Sequence, residues 1–317
     1  MKVIDHIRQA KDTLVSFEIL PPLKGKTISS IYNHLDPLME FKPSFINVTY
    51  HRSDQIFKKK QDGTFEKVEV RKRPGTVGIC AAIMNHYKID AVPHLICGGF
   101  TRRETEDALI DLNFLGIDNV LIIRGDATKN ETFFEAEPEG HKYAIDLMKQ
   151  VVNLNHGIYL EEDIREGFRT NFCIGVAGYP EKHYEAPNMD SDMEFLKAKV
   201  AAGADYIVTQ MFFDNARYFR FVENCRAAGI EVPIIPGLKP ITNKKQLSVI
   251  PRTFHVDLPA DLSNGIMACK TDEECEKVGT EWLIAQSKEL KKAGVPVLHY
   301  YTLGKPKVIW NTVKEVF

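Results

Sequence analysis

Polar residues interrupt apolar segments of this sequence at positions where they could act on a small ligand. Glu18 lies within the apolar segment 17–20, and Arg124, Gly125 and Asp126 directly follow another apolar segment. A carboxyl group with apolar neighbours can remain protonated near neutral pH and then act as a general acid. Arginine can bind a phosphate through two hydrogen bonds, and glycine lets a flat ligand approach the backbone. These residues therefore indicate acid catalysis on a flat or phosphorylated ligand.

The same residues also have structural interpretations. Glu18 could be a buried carboxylate paired with lysine or arginine, and an Arg-Gly-Asp triplet also fits an ordinary turn. His94 is interpreted equally well as a core histidine or as a ligand contact. Gln210 stands beside Phe212 and Phe213, which could be core side chains or could place one ring on a flat substrate.

No residue spacing in the sequence is typical of a metal site. The six cysteines form no CxxC pair, and the histidines form no HxH or HExxH motif. His94 and His183 also lack the spacing of a metal-binding pair. We therefore expect no metal, and we interpret the cysteines as small buried hydrophobic residues.

The composition excludes several classes of function. The 317 residues are 44% hydrophobic and 26% charged, with a net charge of −2, which is typical of a soluble globular protein. This charge balance does not indicate a nucleic acid or an anionic membrane as a partner. No apolar segment approaches the roughly 20 residues that a membrane span needs, and the N-terminus lacks an apolar signal core. We expect a cytoplasmic protein.

Alternating strand and helix patterns must position the polar residues. Eight apolar segments have the length and composition of buried strands, at 14–20, 45–50, 91–96, 119–123, 172–177, 206–210, 232–236 and 297–301. Helices are predicted at 27–40, 74–87, 101–115, 140–154, 190–202, 215–228, 242–250 and 272–293, with a short helix at the end of the chain. Gly116, Gly203, Gly229 and Gly294 each follow a helix and precede a strand, which indicates a repeated unit.

Eight strand–helix units predict a single-domain (β/α)₈ TIM barrel over residues 1–317. Alternation of strands and helices produces a parallel sheet, and eight units close it into a barrel. No GxGxxG motif follows the first strand, which argues against a Rossmann fold. The polar segments 52–73 and 155–170 interrupt the pattern. The first is interpreted as a surface loop or hairpin, and neither is assigned a role.

The active site of such a barrel lies at the carboxyl ends of its strands. Polar or glycine residues stand at these ends on most of the predicted strands, namely Glu18, Thr49, Tyr50, His51, His94, Arg124, Gly125, Asp126, Tyr179, Gln210, Gly237, Tyr301 and Thr302. Because buried polar groups are unfavourable without partners, their repeated occurrence at one end indicates a shared ligand cavity.

In their order along the chain, these segments resemble the methylenetetrahydrofolate reductase family. Nine matching motifs cover almost the whole sequence, at 16–18 with 21–22, 48–50, 93–95, 121–126, 178–181 with His183, 202–205, 209–210 with 212–214, 235–237 and 300–303. The resemblance implies bound FAD and a ping-pong reaction, in which NADH or NADPH reacts first and leaves. 5,10-Methylenetetrahydrofolate is then reduced to 5-methyltetrahydrofolate, which supplies methyl groups for methionine synthesis.

The resemblance also implies roles for individual residues. Glu18 is expected to be the general acid, with Phe17, Ile19 and Leu20 supplying apolar surroundings, and Asp126 is expected to stabilise a cationic iminium. The expected FAD contacts are Tyr50, His94, Arg124, Gly125, Asp126, Ala144, Tyr179, His183, Ala186, Asp192 and Lys199, with Thr49 near the nicotinamide. The expected folate contacts are Asp126, Gln210, Phe213, Gln246 and Lys305.

Departures from the family pattern limit these expectations. Lys305 replaces an arginine of some bacterial members and cannot form a bidentate contact with the folate tail. Phe195 and Ala198 lack polar groups that some members carry near the FAD phosphates. Because the sequence ends after the barrel, we expect no regulatory domain and no inhibition by S-adenosylmethionine.

Two other functions and two properties stay open. The chain could be another flavin-dependent barrel oxidoreductase of the proline dehydrogenase type, or a folate- or flavin-binding protein without catalysis. The presence of Glu18 and Asp126 argues against the second alternative. The sequence does not indicate whether NADH or NADPH is preferred. A homo-oligomer is expected from the resemblance alone.

Overall fold

The computed structural model describes residues 1–127, 131, 133–164, 167–302 and 304–317. Its strands are Leu14–Ile19 (β1), Phe45–Val48 (β2), Asp54–Lys59 (β3), Phe65–Val70 (β4), Asp90–Ile96 (β5), Asn119–Ile123 (β6), Cys173–Gly178 (β7), Tyr206–Thr209 (β8), Ile234–Ile235 (β9), Gly237–Leu238 (β10) and Val297–Tyr301 (β11). Leu303 of the last family motif and residues 165–166 of the insert 155–170 lie outside the described residues.

Helices connect these strands in the order expected for the fold. They are Val3–Gln9 (α1), Ser29–Leu35 (α2), Thr76–Tyr87 (α3), Arg102–Phe114 (α4), Ala144–Asn155 (α5), Met189–Ala201 (α6), Asn215–Ala227 (α7), Gln246–Phe254 (α8), Ala260–Ala268 (α9), Asp272–Lys292 (α10) and Pro306–Val316 (α11). A 3-10 helix, Asp36–Phe41, continues α2. None of the helices within the described residues is long and apolar enough to cross a bilayer.

Nine parallel strands form the barrel wall in the order β10-β11-β1-β2-β5-β6-β7-β8-β9. β9 and β10 flank Pro236 and together occupy the seventh of eight positions, because β9 pairs with β8 and β10 pairs with β11. Pro236 has no N–H to donate, but its carbonyl accepts a hydrogen bond from the His299 N–H at 3.2 Å. The predicted (β/α)₈ barrel is confirmed.

Alternating side chains of the strands form two separate cores. The inner core lies within the barrel and contains Phe45, Val92, Leu121, Cys173, Tyr206, Val208, Ile235 and Val297. The outer core packs under the helices and includes Phe17, Ile19, Ile46, Val48, Leu95 and Ile122. At the amino ends of the strands, the N–H of Val3 in α1 donates to Asn119 Oδ1 at 2.8 Å, so α1 covers this end of the barrel.

The main difference from the sequence prediction lies between β10 and β11. The helix expected at 242–250 begins instead at Gln246, because Asn243 Oδ1 and the Gln246 side chain hold residues 242–245 in a turn. The following helix α9 was not predicted. Elsewhere, the segment 52–73 contains the antiparallel hairpin β3–β4, one of its two predicted forms. All six cysteines are buried and free, as predicted.

Candidate active site

Glu18 lies at the carboxyl end of β1 on the inner side of the barrel, and only 8% of its surface is exposed. Its Oε2 lies 3.5 Å from Nε2 of His94 and 3.6 Å from Nε2 of His299. These side chains meet because β1 pairs with β11, the strand of His299, and with β2, which in turn pairs with β5, the strand of His94. Glu18, His94 and His299 are called the acid cluster below.

The surroundings of Glu18 differ from those expected from the sequence. Phe17 and Ile19 belong to the outer core and point away from Glu18, because successive residues of a strand face opposite sides. The prediction that they supply apolar surroundings is therefore wrong. Among the described residues, the ion-pair partners of Glu18 are the imidazoles of His94 and His299. The alternative that a lysine or arginine pairs with a buried Glu18 is therefore excluded for this part of the chain.

His94 is neutral at physiological pH. Burial lowers its pKa to about 4, although the nearby Glu18 carboxylate acts in the opposite direction. The Nε2 of His94 also lies 3.2 Å from the Asn47 amide nitrogen. His94 therefore offers the acid cluster a hydrogen-bonding group but no positive charge.

His299 is completely buried on the other side of Glu18. Its Nδ1 lies 2.8 Å from Ser16 Oγ, and its Nε2 has no hydrogen-bond partner among the described residues. Sequence reasoning missed Ser16, Asn47 and His299 as site residues. Each is a polar residue at an inward position of an apolar strand, and this alternation is the signal that could have identified them.

Arg124 and Gly125 follow β6 at the edge of the barrel mouth. Arg124 forms an ion pair with Glu185 and lies 5.0 Å from the ring centroid of Phe134. Its Nε is buried and has no partner in the described part of the chain. Gly125 has a φ of +85°, and a Cβ added there would lie 3.3 Å from Ile96. This loop therefore requires glycine and leaves one guanidinium N–H available.

The loop after β7 and helix α6 bring together five predicted residues, Tyr179, His183, Ala186, Asp192 and Lys199. The rings of Tyr179 and His183 meet edge to face at 4.7 Å, and Asp192 Oδ2 accepts a hydrogen bond from the His183 N–H at 2.9 Å. Lys199 Nζ donates to a carbonyl of β7 at 2.8 Å, and burial lowers its pKa to about 8 while Asp192 opposes this change. Arg124, Tyr179, His183, Asp192 and Lys199 are called the rim below.

Two predicted residues, Thr49 and Tyr50, follow β2. Thr49 Oγ1 is buried without a hydrogen-bond partner among the described residues. The Tyr50 ring lies 4.9 Å from that of Phe100, and burial raises the Tyr50 pKa. Tyr50 and His94 line one cavity of about 720 Å³, whose other walls come mainly from the segments 22–32 and 71–82.

Asp126 is exposed on the loop after β6. Burial lowers the pKa of His51 and raises that of Tyr179, and the Asp126 carboxylate raises the pKa of both groups. Asp126 therefore lies near both His51 and the rim residue Tyr179. Ala144 is the first residue of α5. Among the described residues, no group of three or more His, Cys, Asp or Glu side chains could hold a metal ion.

Both glutamines predicted to contact substrate lie beyond the ends of strands and use their carbonyl groups locally. Gln210 Oε1 accepts a hydrogen bond from the Met211 N–H at 2.9 Å, and Gln246 Oε1 accepts one from the Thr242 N–H at 2.6 Å. Each side chain therefore retains an amide NH₂ group that can donate to a ligand.

Phe213 and Lys305 make contacts within the protein. Phe213 is buried in a third core formed with residues of α8, α9 and α10. Lys305 is exposed and forms an ion pair with Glu276. The structure thus gathers at the strand ends Glu18, His94, Thr49 and Gln210. Phe213 and Lys305 are engaged elsewhere, and their expected substrate contacts stay predictions.

Sequence comparisons relate the chain to a family of reductases. Residues 2–316 match the sequence profile of the family described as methylenetetrahydrofolate reductase. The 5,10-methylenetetrahydrofolate reductase of Salmonella typhimurium is 32% identical over 295 residues, covering 93% of this chain and 87% of the relative. Methylenetetrahydrofolate reductase 1 of Schizosaccharomyces pombe is 30% identical over 321 residues. That alignment covers 100% of this chain and 48% of the relative, so the chain spans about half the length of the yeast protein.

A solved structure shows the same fold at low sequence identity. A Clostridium thermocellum protein that binds two copies of 5-methyl-5,6,7,8-tetrahydrofolic acid superposes on the chain with a TM-score of 0.57. The two sequences are 15% identical, and the superposition covers 98% of this chain and 97% of the other. At this identity the likeness concerns the barrel and not the activity.

Proposed function

Because the chain belongs to the methylenetetrahydrofolate reductase family, we propose that it reduces 5,10-methylenetetrahydrofolate to 5-methyltetrahydrofolate with NADH or NADPH. The observation that carries this proposal is the position of Glu18, which is buried at the barrel mouth between two imidazoles. Opening of the substrate ring requires an acid at such a protected position. We also propose that the protein acts in the cytoplasm as a homo-oligomer.

The residues around the mouth fit FAD. Thr49 Oγ1 and Arg124 Nε are buried without a partner among the described residues, and such groups are unfavourable unless a ligand supplies the missing hydrogen bonds. Gly125 keeps the backbone open where a side chain would contact Ile96. We assign FAD binding to Thr49, Tyr50, His94, Gly125, Asp126, Ala144, Ala186 and the rim. Bound FAD would supply hydride transfer between the nucleotide and the folate.

Glu18 has the geometry of the proton donor. The five-membered ring of methylenetetrahydrofolate opens when its departing nitrogen receives a proton, which the Glu18 carboxyl would donate. Neutral His94 at 3.5 Å adds no positive charge beside this carboxyl group. His299, held by Ser16 at 2.8 Å, keeps a second imidazole against the same carboxyl oxygen.

Asp126 and the two glutamines would orient the opened substrate. Ring opening leaves a cationic iminium, and the exposed Asp126 carboxylate beside Gly125 would stabilise this charge. The free amide NH₂ groups of Gln210 and Gln246 would donate hydrogen bonds to folate oxygen or nitrogen atoms. Substrate binding would therefore rely on the amide donors of Gln210 and Gln246 and on the carboxylate of Asp126.

An absorbance experiment tests this function directly. The purified protein should show a flavin spectrum, which anaerobic NADH or NADPH should bleach and 5,10-methylenetetrahydrofolate should restore. The faster of the two nucleotides would identify the preferred reductant. A protein that cannot take up FAD, or a reduced protein that methylenetetrahydrofolate does not reoxidise, would contradict the proposal. Reoxidation coupled to proline metabolism alone would favour the proline dehydrogenase type.

A further inference from the structure

Lys239 has a mostly buried side chain in the segment that follows β10. It is 8% exposed and is the only lysine or arginine so deeply buried in the described part of the chain. Its ammonium forms no hydrogen bond or ion pair with a described residue. Burial lowers its pKa to about 8, with no contribution from a neighbouring carboxylate. Because desolvation disfavours the charged form of Lys239, an anion bound beside its ammonium would offset this effect.

The position of Lys239 relates it to the barrel mouth. Ile235 belongs to the inner core, and a Cβ at Gly237 would meet Tyr301, whose pKa is raised by burial and by Glu18. Residues two apart on a strand face the same side, so Lys239 continues this inward series beyond the strand end. This is the end of the barrel at which Glu18 lies.

The segment that carries Lys239 is held rigidly. Gly279 of α10 packs so closely on Ile241 that a Cβ would collide with the Ile241 carbonyl. The Thr242 N–H donates to Gln246 Oε1 at 2.6 Å, which ties the segment to the start of α8. Lys239 is therefore presented from a fixed backbone and not from a free loop tip.

The groups available on this side of the mouth are hydrogen-bond donors. Gln210 and Gln246 use their carbonyl oxygens within the protein, their NH₂ groups donate to no described residue, and Lys239 adds an ammonium. A set of donors with one cation matches a ligand rich in acceptors and carrying a negative charge. Lys305 fits this role less well, because it is exposed and already paired with Glu276.

We propose that Lys239 binds a carboxylate of the glutamate tail of the folate substrate. This inference rests on the proposed function, which makes a folate the ligand of this mouth. The pairing would give the buried ammonium its missing counter-ion, and Gln210 and Gln246 would hold the neutral part of the same molecule. Lys239 would thus determine preference for folates that carry the glutamate over those that lack it.

The test compares two ligands on the FAD-loaded protein. Isothermal titration calorimetry measures the binding of 5-methyltetrahydrofolate and of 5-methyltetrahydropteroate, which lacks glutamate. Lys239→Met should weaken binding of 5-methyltetrahydrofolate about ten- to a hundredfold, which is the range for loss of a hydrogen bond to a charged group. Binding of 5-methyltetrahydropteroate should weaken less than about threefold. Lys239→Gln, which keeps a donor without the charge, should fall between wild type and Lys239→Met. Lys291→Met, on a partly buried lysine of α10 that donates to Val316, serves as the matched control and should bind both ligands as wild type does.

Each other outcome overturns a defined claim. Three results would contradict the role of Lys239. Lys239→Met could weaken binding of both ligands equally, it could leave both affinities unchanged, or Lys305→Met could weaken binding while Lys239→Met does not. A rise in the KM for NADH with unchanged folate binding would show that the anion is a nucleotide phosphate, and would also contradict it. Wild-type protein that binds neither folate compound would instead contradict the proposed function. Misfolding is checked by thermal unfolding, where Lys239→Met should be at least as stable as wild type.

Discussion

The acid cluster and the rim are built in different ways, although both lie at the same end of the barrel. The acid cluster stands on β1, β5 and β11, is almost completely buried, and joins residues from distant parts of the chain. The rim stands on loops and on α6, and its Arg124 is already paired with Glu185. If the proposed function is correct, the acid cluster is already arranged for proton transfer, whereas a ligand of the rim would compete with Glu185 for part of the Arg124 guanidinium.

Replacement of Glu18 should have the largest effect and should act on one half of the reaction. Glu18→Gln keeps the shape of the side chain but removes the proton, so folate reduction should fall about a thousandfold. FAD binding and oxidation of NADH with menadione as acceptor should stay within about twofold, because the rim is intact. Stopped-flow spectroscopy of the two half-reactions measures both rates. Folate reduction at the wild-type rate would remove Glu18 from its assigned role.

The burial of His94 should appear in the pH dependence of stability. The unfolded chain protonates His94 below pH 6.5, but the folded protein does so only near pH 4, so the free energy of unfolding falls as pH decreases between these values. The full loss is on the order of 3 kcal/mol. Urea unfolding of wild type and of His94→Gln between pH 4.5 and 7 measures it.

A matched variant on the rim sharpens this comparison. His94→Gln should flatten the acid side of the stability curve, whereas His183→Gln should flatten it less, because His183 is only partly buried. Curves of His94→Gln and wild type that remain parallel would show that His94 is protonated normally in the folded protein.

The ion pair of the rim predicts a smaller effect on cofactor affinity. Arg124→Ala should weaken FAD binding about ten- to a hundredfold, because it removes a charged hydrogen-bond donor. Glu185→Gln should bind FAD as well as or better than wild type, because it releases the guanidinium from its internal partner. Fluorescence titration of the apoprotein with FAD measures both constants. Equal weakening by the two substitutions would mean that the pair itself, and not the free arginine, holds the cofactor.

The hairpin β3–β4 should show the smallest effect, since its tip belongs to neither region. Residues 58–66 are exposed, and Phe57 pairs directly with Lys67 across the two strands. Joining these two residues through an Asn-Gly turn should change both half-reactions less than about twofold and stability by less than about 0.5 kcal/mol. Steady-state kinetics and thermal unfolding provide the measurements. A clear loss of FAD or folate binding would assign the hairpin to the site.

Several features could be predicted from short stretches of sequence because their causes are local. Thr101 and Glu104 form a capping box at the start of α4, where the helix 101–115 was predicted to begin. Gly116, predicted to follow this helix, has a left-handed conformation with a φ of +69°. Glu18 and the Arg124 loop could be identified because each interrupts or ends an apolar strand. Helix α9 escaped prediction because no side chain caps its first turn.

The sequence by itself determined the alternation of strands and helices, the closure into a barrel, and the end at which polar side chains gather. Only the tertiary structure decided which side chains contact one another. Ser16 and His299 are 283 positions apart and meet because the barrel closes β11 against β1. The apolar neighbours Phe17 and Ile19 of Glu18 lie on the opposite side of the strand, and Gly279 of α10 packs against Ile241, which is 38 positions away in the sequence. Local sequence cannot encode these contacts alone, because they depend on which distant strands and helices become neighbours.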